Sequence, residues 1–172
     1  SYDDRYMMTF TLRRDGSSRF GPNNRFGTFP SVSVGWNLMN ERFMSRFNWL
    51  NALKLRASWG RNGNENIGDF QYMSTISTYG LGYAFGSQLD GQAISTGAAP
   101  TKVLSPDLKW ETIEQTNIGV DATFFNCLTV NLDYYRKNTK DLLLTSPTPL
   151  FLGNTFPTMN AGSVRNEGFE AF

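Results

Sequence analysis

The chain has 172 residues, enough for one domain with a substantial core, and its 16 Lys and Arg against 15 Asp and Glu leave no bulk field that draws it to nucleic acid. The absence of His and the single Cys exclude Ser-His-Asp and Cys-His catalysis, a His-based zinc site and an intramolecular disulfide. No apolar run approaches the ~20 residues of a membrane helix, which leaves open a β-barrel, whose signal is alternation.

The opening SYDDRYMMTF carries neither an initiator Met nor a basic-then-apolar leader, so a processed chain or an internal piece of a longer one is expected. The first alternating run follows at once. Tyr6, Met8, Phe10 and Leu12 share one face and Arg5, Thr9, Thr11 and Arg13 the other, with Met7 the exception. A Gly-, Ser-, Asn- and Arg-rich connection leads to a second strand, with Val32, Val34, Trp36 and Leu38 opposite Ser31, Ser33, Gly35 and Asn37. The stretch NERFMSRFNWLN reads as a helical turn with Phe43, Phe47 and Leu50 on one face and Asn40 as candidate N-cap. A third strand sets Leu53, Leu55, Ala57 and Trp59 against Lys54, Arg56 and Ser58.

After a long connection, Arg61 to Leu108, the fourth strand places Thr116, Ile118, Val120, Ala122 and Phe124 opposite Gln115, Asn117, Gly119, Asp121 and Thr123. In the fifth, Leu128, Val130, Leu132 and Tyr134 oppose Thr129, Asn131 and Asp133, and the intervening Phe125 to Cys127 suits a three-residue hairpin loop. The Pro-rich TSPTPLFLGNTFP precedes a sixth strand from about Val164. Long connections thus alternate with short ones, the pattern of an up-and-down outer-membrane barrel. Thr116 to Phe124 would rise roughly 19 Å at ~3.3 Å per residue and ~45° of tilt, near the ~25 Å apolar band of such barrels. Trp36, Trp59 and Tyr134 at strand ends are candidate girdle residues. A soluble β-sandwich whose core is built from the same faces stays open on pattern alone.

Four features invite a chemical reading. GLGYAFG has glycines at its first, third and seventh positions, not the first, third and sixth of a dinucleotide loop, and reads as a surface loop. Glu111 and Glu114 fall on opposite faces of a strand and diverge, so they make no glycosidase pair, and no catalytic or metal-ligating residue and no cofactor is expected. Arg13, Arg14, Arg19 and Arg25, interleaved with Phe20, Phe26 and Phe29, lack a second basic tract, which argues against nucleic acid. They are expected to pair with Asp15 and neighbouring carboxylates while the rings pin the loop to a rim. The long connection offers Phe70, Tyr72, Tyr79, Tyr83 and Phe85 among amides and hydroxyls, a surface able to hold a sugar or peptide or simply to pack on itself.

The wording of the sequence adds to its periodicity. TLRRDGSSRFGPNNRFGTFPSVSVGW, LNALKLRASWGRNGNENIGDF, SPDLKWETIEQTNIGVDATFFN, DYYRKNTKDLL and NAGSVRNEGFE resemble, in order, the barrel of SusC/RagA-type TonB-linked outer-membrane transporters, most weakly between Phe70 and Thr101. The resemblance implies a barrel of about 22 strands in a Gram-negative outer membrane, closed by a plug and driven through the TonB complex. It also implies a SusD-like surface lipoprotein that captures glycans or peptides. Six alternating runs cannot close such a barrel, so residues 1–172 are expected to be a partial barrel, its later part, without plug, TonB box or signal peptide. FFNCLT is shorter than the usual family turn, with Cys127 where a polar residue is common.

The expected fold is therefore all-β, an antiparallel segment of a transmembrane barrel with long outer loops and short periplasmic turns. Val34, Trp36, Leu55, Ile118, Val120 and Leu132 are expected to face outer-membrane lipid, and Lys54, Arg56, Gln115, Asn117 and Asp121 the lumen or plug. Arg19, Arg25, Phe70, Tyr72, Tyr79 and Tyr83 are the candidate contacts for an oligosaccharide or peptide substrate or for the lid. The expected function is import of oligomeric nutrients without bond chemistry, and the alternative is a secreted carbohydrate-binding sandwich.

Overall fold

Alternating β-branched and aromatic residues on one side and hydroxyl, amide and charged residues on the other direct each run into a half-apolar strand. In the structure, a computed structural model that describes residues 1–78, 82–85, 93–100, 104–147, 149 and 157–172, these runs become β1 (Tyr6–Gly16), β2 (Phe26–Asn37) and β3 (Leu50–Asn64). The short β4 (Ile76–Ser77), β5 (Gly82–Phe85), β6 (Ala93–Thr96) and β7 (Ala99–Pro100) occupy the long connection. The main sheet resumes with β8 (Glu111–Phe124) and β9 (Leu128–Lys140), and after β10 (Leu143–Thr145) and β11 (Thr158–Asn160) ends with β12 (Ser163–Ala171). Its order is β1-β2-β3-β8-β9-β12, every pairing antiparallel, so the long strands meander without a crossover.

The strands run further than their apolar alternation, mainly toward the long connections, where polar side chains keep the ladder going. Trp59 and Tyr134 consequently lie inside β3 and β9, not at strand ends. The short connection is helical only as 3₁₀ winding, without the expected shared face of Phe43, Phe47 and Leu50. It holds two 3₁₀ turns, Leu38–Asn40 and Arg42–Arg46, and in this tighter winding Met44 turns inward while Phe43 and Phe47 are exposed. Asn40 does not cap it; its Nδ2 donates to the Asp4 carbonyl at 2.9 Å. The hairpin Phe125–Cys127 keeps the expected three-residue loop with β8 and β9 in register. Phe125 and Asn126 both take positive φ, as a type I′ turn demands, and Cys127 N–H donates to the Phe124 carbonyl at 3.1 Å.

Burial collects at the two ends of the sheet. At the short-turn end Met44, Leu50 and Ala122 pack with Leu38, Met39, Leu53 and Phe124, and Trp49 stacks on Phe124 with 5.9 Å between centroids. At the long-connection end Phe20 and Leu108 are fully enclosed, and Trp110 packs against Phe20 and Phe29 at 5.0 and 5.5 Å. Between these ends the apolar face is bare: Met8 is 69% exposed, Phe10 64% and Ile118 53%. Among the described residues the other sheets are two-stranded, so no second layer covers it as a soluble sandwich would require.

Candidate functional site

Register makes each face continuous across all six long strands. Tyr6, Trp36, Leu55, Val120, Leu132 and Ala171 form one apolar row, and Met8, Val34, Ala57, Ile118, Tyr134 and Phe169 the next. Val34, Trp36, Leu55, Ile118, Val120 and Leu132 therefore lie on one face of the sheet. The belt is oblique to the register. Tyr6, at the short-turn end of the β1 run, is aligned through the row with Leu132, yet the apolar run of β9 begins four residues earlier at Leu128. The sheet is open, β1 and β12 being its edges, and that slide is the stagger that tilted strands of a barrel wall require.

The opposite face carries rows of polar and small residues, such as Thr9, Ser33, Ser58, Asn117, Tyr135 and Gly168. A concavity of about 690 Å³ lies over it, with Lys54, Arg56, Gln115, Asn117, Asp133 and Lys137 among its walls. Arg56 organises its centre. Its Nε and Nη2 donate to the Asp121 carboxylate at 2.7 and 2.8 Å, and Nη2 also to Asp133 at 3.1 Å. Sequence reasoning placed Arg56 and Asp121 on this face but missed Asp133 as their partner, because only the β8–β9 register brings it across Gly119.

The arginine-rich loop behaves as architecture. Arg13 pairs with Asp15 at 2.7 Å and Arg14 lies 5.0 Å over the Phe26 ring. Arg19 bridges to the long connection, with Nε 3.0 Å from Asp69 Oδ1 and Nη1 donating to the Glu65 carbonyl at 3.2 Å. Tyr72 is half-buried against Gly21, and its ring lies 6.4 Å from that of Phe70, which is exposed. Arg19, Phe70 and Tyr72 thus belong to one loop cluster. Arg25 has an exposed side chain at the loop base, where its carbonyl accepts the Trp110 indole N–H at 3.3 Å. Tyr83 is exposed on the separate β5–β6 hairpin. Tyr79, and Gly80 and Gly86 of the GLGYAFG stretch, lie outside the described residues. Glu111 and Glu114 take opposite faces: Glu111 binds Asn64 Nδ2 and the Leu143 N–H, and Glu114 the Trp59 indole. Among the described residues no cluster of acidic and Cys side chains is arranged to hold a metal.

A meander of antiparallel strands with one apolar face, one polar face and alternating long and short connections is a segment of an up-and-down β-barrel. Residues 1–171 match the family model described as TonB dependent receptor-like, beta-barrel, and the chain belongs to that family. It is 41% identical over 170 residues to TonB-dependent receptor P39 of Formosa agariphila, covering 98% of this chain and 15% of the relative. It is 39% identical to TonB-dependent receptor SusC of Bacteroides thetaiotaomicron, covering 97% of this chain and 17% of that protein. Among solved structures, the RagAB peptide importer in its open-open state superposes with a TM-score of 0.81 at 31% identity, over 99% of this chain and 18% of the other. The closed-closed state gives 0.78 at 32% identity, over 98% of this chain and 18% of the other. The chain therefore spans less than a fifth of the length of these relatives.

Proposed function

We propose that the chain forms part of the membrane wall of a TonB-dependent importer in a Gram-negative outer membrane, which takes up oligosaccharides or other oligomers, peptides included. The observation that carries this reading is the two-faced sheet. Val34, Trp36, Leu55, Ile118, Val120 and Leu132 meet lipid, and the face built around Arg56 meets the lumen and plug. The long connections point outward and the Phe125–Cys127 and Leu38–Trp49 turns into the periplasm. Energy coupling through the TonB complex uses parts of the parent protein outside this chain. A SusD-like lipoprotein sits over the outer loops, where exposed Arg25, Phe70 and Tyr83 and half-buried Tyr72, spread over separate loop segments, are the contacts for substrate or lid. Arg19, engaged with Asp69 and Glu65, holds the loop that presents them.

Deleting the parent gene and, separately, the TonB gene in the source bacterium tests the role on panels of oligosaccharides and peptides. The expected outcome is loss of growth on at least one nutrient common to both strains. A parent deletion that loses none of the nutrients lost with TonB overturns the reading.

A further inference from the structure

Beyond the apolar belt, on the same face, the strands run on toward the long connections and their side chains become cationic. Arg14 stands two positions past Leu12, Arg61 two past Trp59, and Arg136 two past Tyr134, with Lys140 and Arg165 further along β9 and β12. Register knits the group together: Arg61 opposes Glu114, Glu114 opposes Asn138, and Asn138 opposes Arg165. The acidic residues on these strand ends and this face are Glu114 and Glu167. Glu114 is already taken up by the Trp59 indole at 3.0 Å and Lys140 at 3.3 Å, and Glu167 stands 4.0 Å from Arg136, too far for a hydrogen bond.

Arg165 Nε donates to Asn138 Oδ1 at 3.0 Å, but two of the cations keep unused capacity. Arg61 Nε and Arg136 Nε are enclosed and have no hydrogen-bond partner among the described residues. Beside Arg61 a cavity of about 200 Å³ opens, with Asn24, Thr28, Thr112 and the Lys109–Asp141 ion pair in its wall. From these features, and resting on the reading that this face meets lipid with its long connections outside, we infer that the patch seats the phosphate groups of outer-leaflet glycolipid headgroups. A guanidinium is a flat fork that matches two phosphate oxygens at once, and the hydroxyls of Thr28 and Thr112 can supply further donors. Position selects the partner. Aliphatic stems laid over the upper edge of a lipid-contacting belt put charged heads at headgroup depth, where phosphates are the concentrated anion.

The test uses the full-length receptor in detergent, titrated with bisphosphorylated lipid A and read by native mass spectrometry. Replacing three cations together, Arg61→Gln, Arg136→Gln and Arg165→Gln, is expected to weaken lipid A binding by about a hundredfold. The polar-face control Lys54→Gln with Lys137→Gln leaves binding unchanged, and the corresponding Arg→Lys triple variant, which keeps charge and fold, regains part of the lost affinity. Unchanged affinity in the Gln triple variant, equal binding of dephosphorylated lipid A, or inorganic phosphate binding as tightly as lipid A each overturns the inference. Cys127, exposed in its turn, separates this failure from failure of the underlying orientation. In a receptor whose only cysteine is Cys127, a membrane-impermeant maleimide is expected to react in permeabilised cells and not in intact ones. Reaction in intact cells overturns the orientation and the headgroup seat together, whereas the expected pattern with unaltered lipid A binding in the Gln triple variant overturns the seat alone.

Discussion

Gly119 is buried at the middle of the polar face, where the Arg56 guanidinium crosses β8 to reach Asp133 on β9. A Cβ at this position would overlap Asp133 Oδ1 and come within 2.9 Å of Arg56 Nη2, both pinned by the ion cluster. A glycine inside a strand weakens it by itself, so here it marks a close approach of other groups. We expect Gly119→Ala to cost about 1–3 kcal/mol by overpacking and to part Arg56 from Asp133. Gly35→Ala, in the same register row but facing the flexible ends of Met7 and Lys54 at 3.3 and 3.5 Å, should cost less. Chemical unfolding of the refolded receptor measures both, and equal midpoints would remove the role assigned to Gly119. Alternation in the sequence is enough to put Arg56, Asp121 and Asp133 on one face. It cannot align β3 with β9, because that needs two registers set by turns and packing far apart in the chain.

At the scale of elements, Glu41 between the two 3₁₀ turns joins three pieces of the chain. Its Oε1 accepts the Tyr6 hydroxyl of β1 at 2.8 Å and the Trp36 indole N–H of β2 at 3.2 Å, and Arg5 stands 3.7 Å from Oε2. The Tyr6 bond first, then Trp36 and the Arg5 charge, hold this carboxyl below its ordinary range. A carboxyl whose pKa is lowered by folding stabilises the fold above its unfolded value, and that contribution fades as pH falls through the folded one. Wild type and Glu41→Gln should therefore differ in melting temperature near neutral pH and converge as pH drops below about 4.5. A gap that stays constant from neutral to strongly acidic pH would refute this. The long strands are legible because period-two alternation is a strong local signal, but their polar ends are not, since hydrogen bonds to neighbours extend β3 to Asn64 and β9 to Lys140 without apolar marking. The inward face of the turn at Arg42–Arg46 is hidden for a related reason: apolar spacing alone does not separate an α turn from a 3₁₀ turn when tertiary contacts choose Met44 to point inward.

At the scale of the whole molecule, the oblique belt distinguishes a barrel wall from half of a sandwich. In a sandwich the uncovered rows would need a facing sheet, whereas here the apolar positions slide along the register as tilted strands require and stay open to the surroundings. The family blocks in the sequence were sufficient for the fold, yet the outer-loop cluster of Arg19, Asp69 and Gly21 with Tyr72 was beyond reach, because it joins segments whose approach depends on the finished wall. Val120 tests the wall most directly. It lies midway between Thr116 and Phe124 on β8, in the row with Trp36, Leu55 and Leu132, and on the proposed lipid-facing reading that is near mid-depth. An arginine there would have to hold a cation in hydrocarbon, and Val120→Arg should destabilise the full-length barrel by about 2–4 kcal/mol. Asn117→Arg, on the polar face of the same strand, should cost far less because its side chain enters the concavity lined by Lys54, Gln115 and Asp133. Equilibrium unfolding in a lipid bilayer compares the two, and a Val120→Arg barrel that inserts and unfolds like wild type would reverse the assignment of faces.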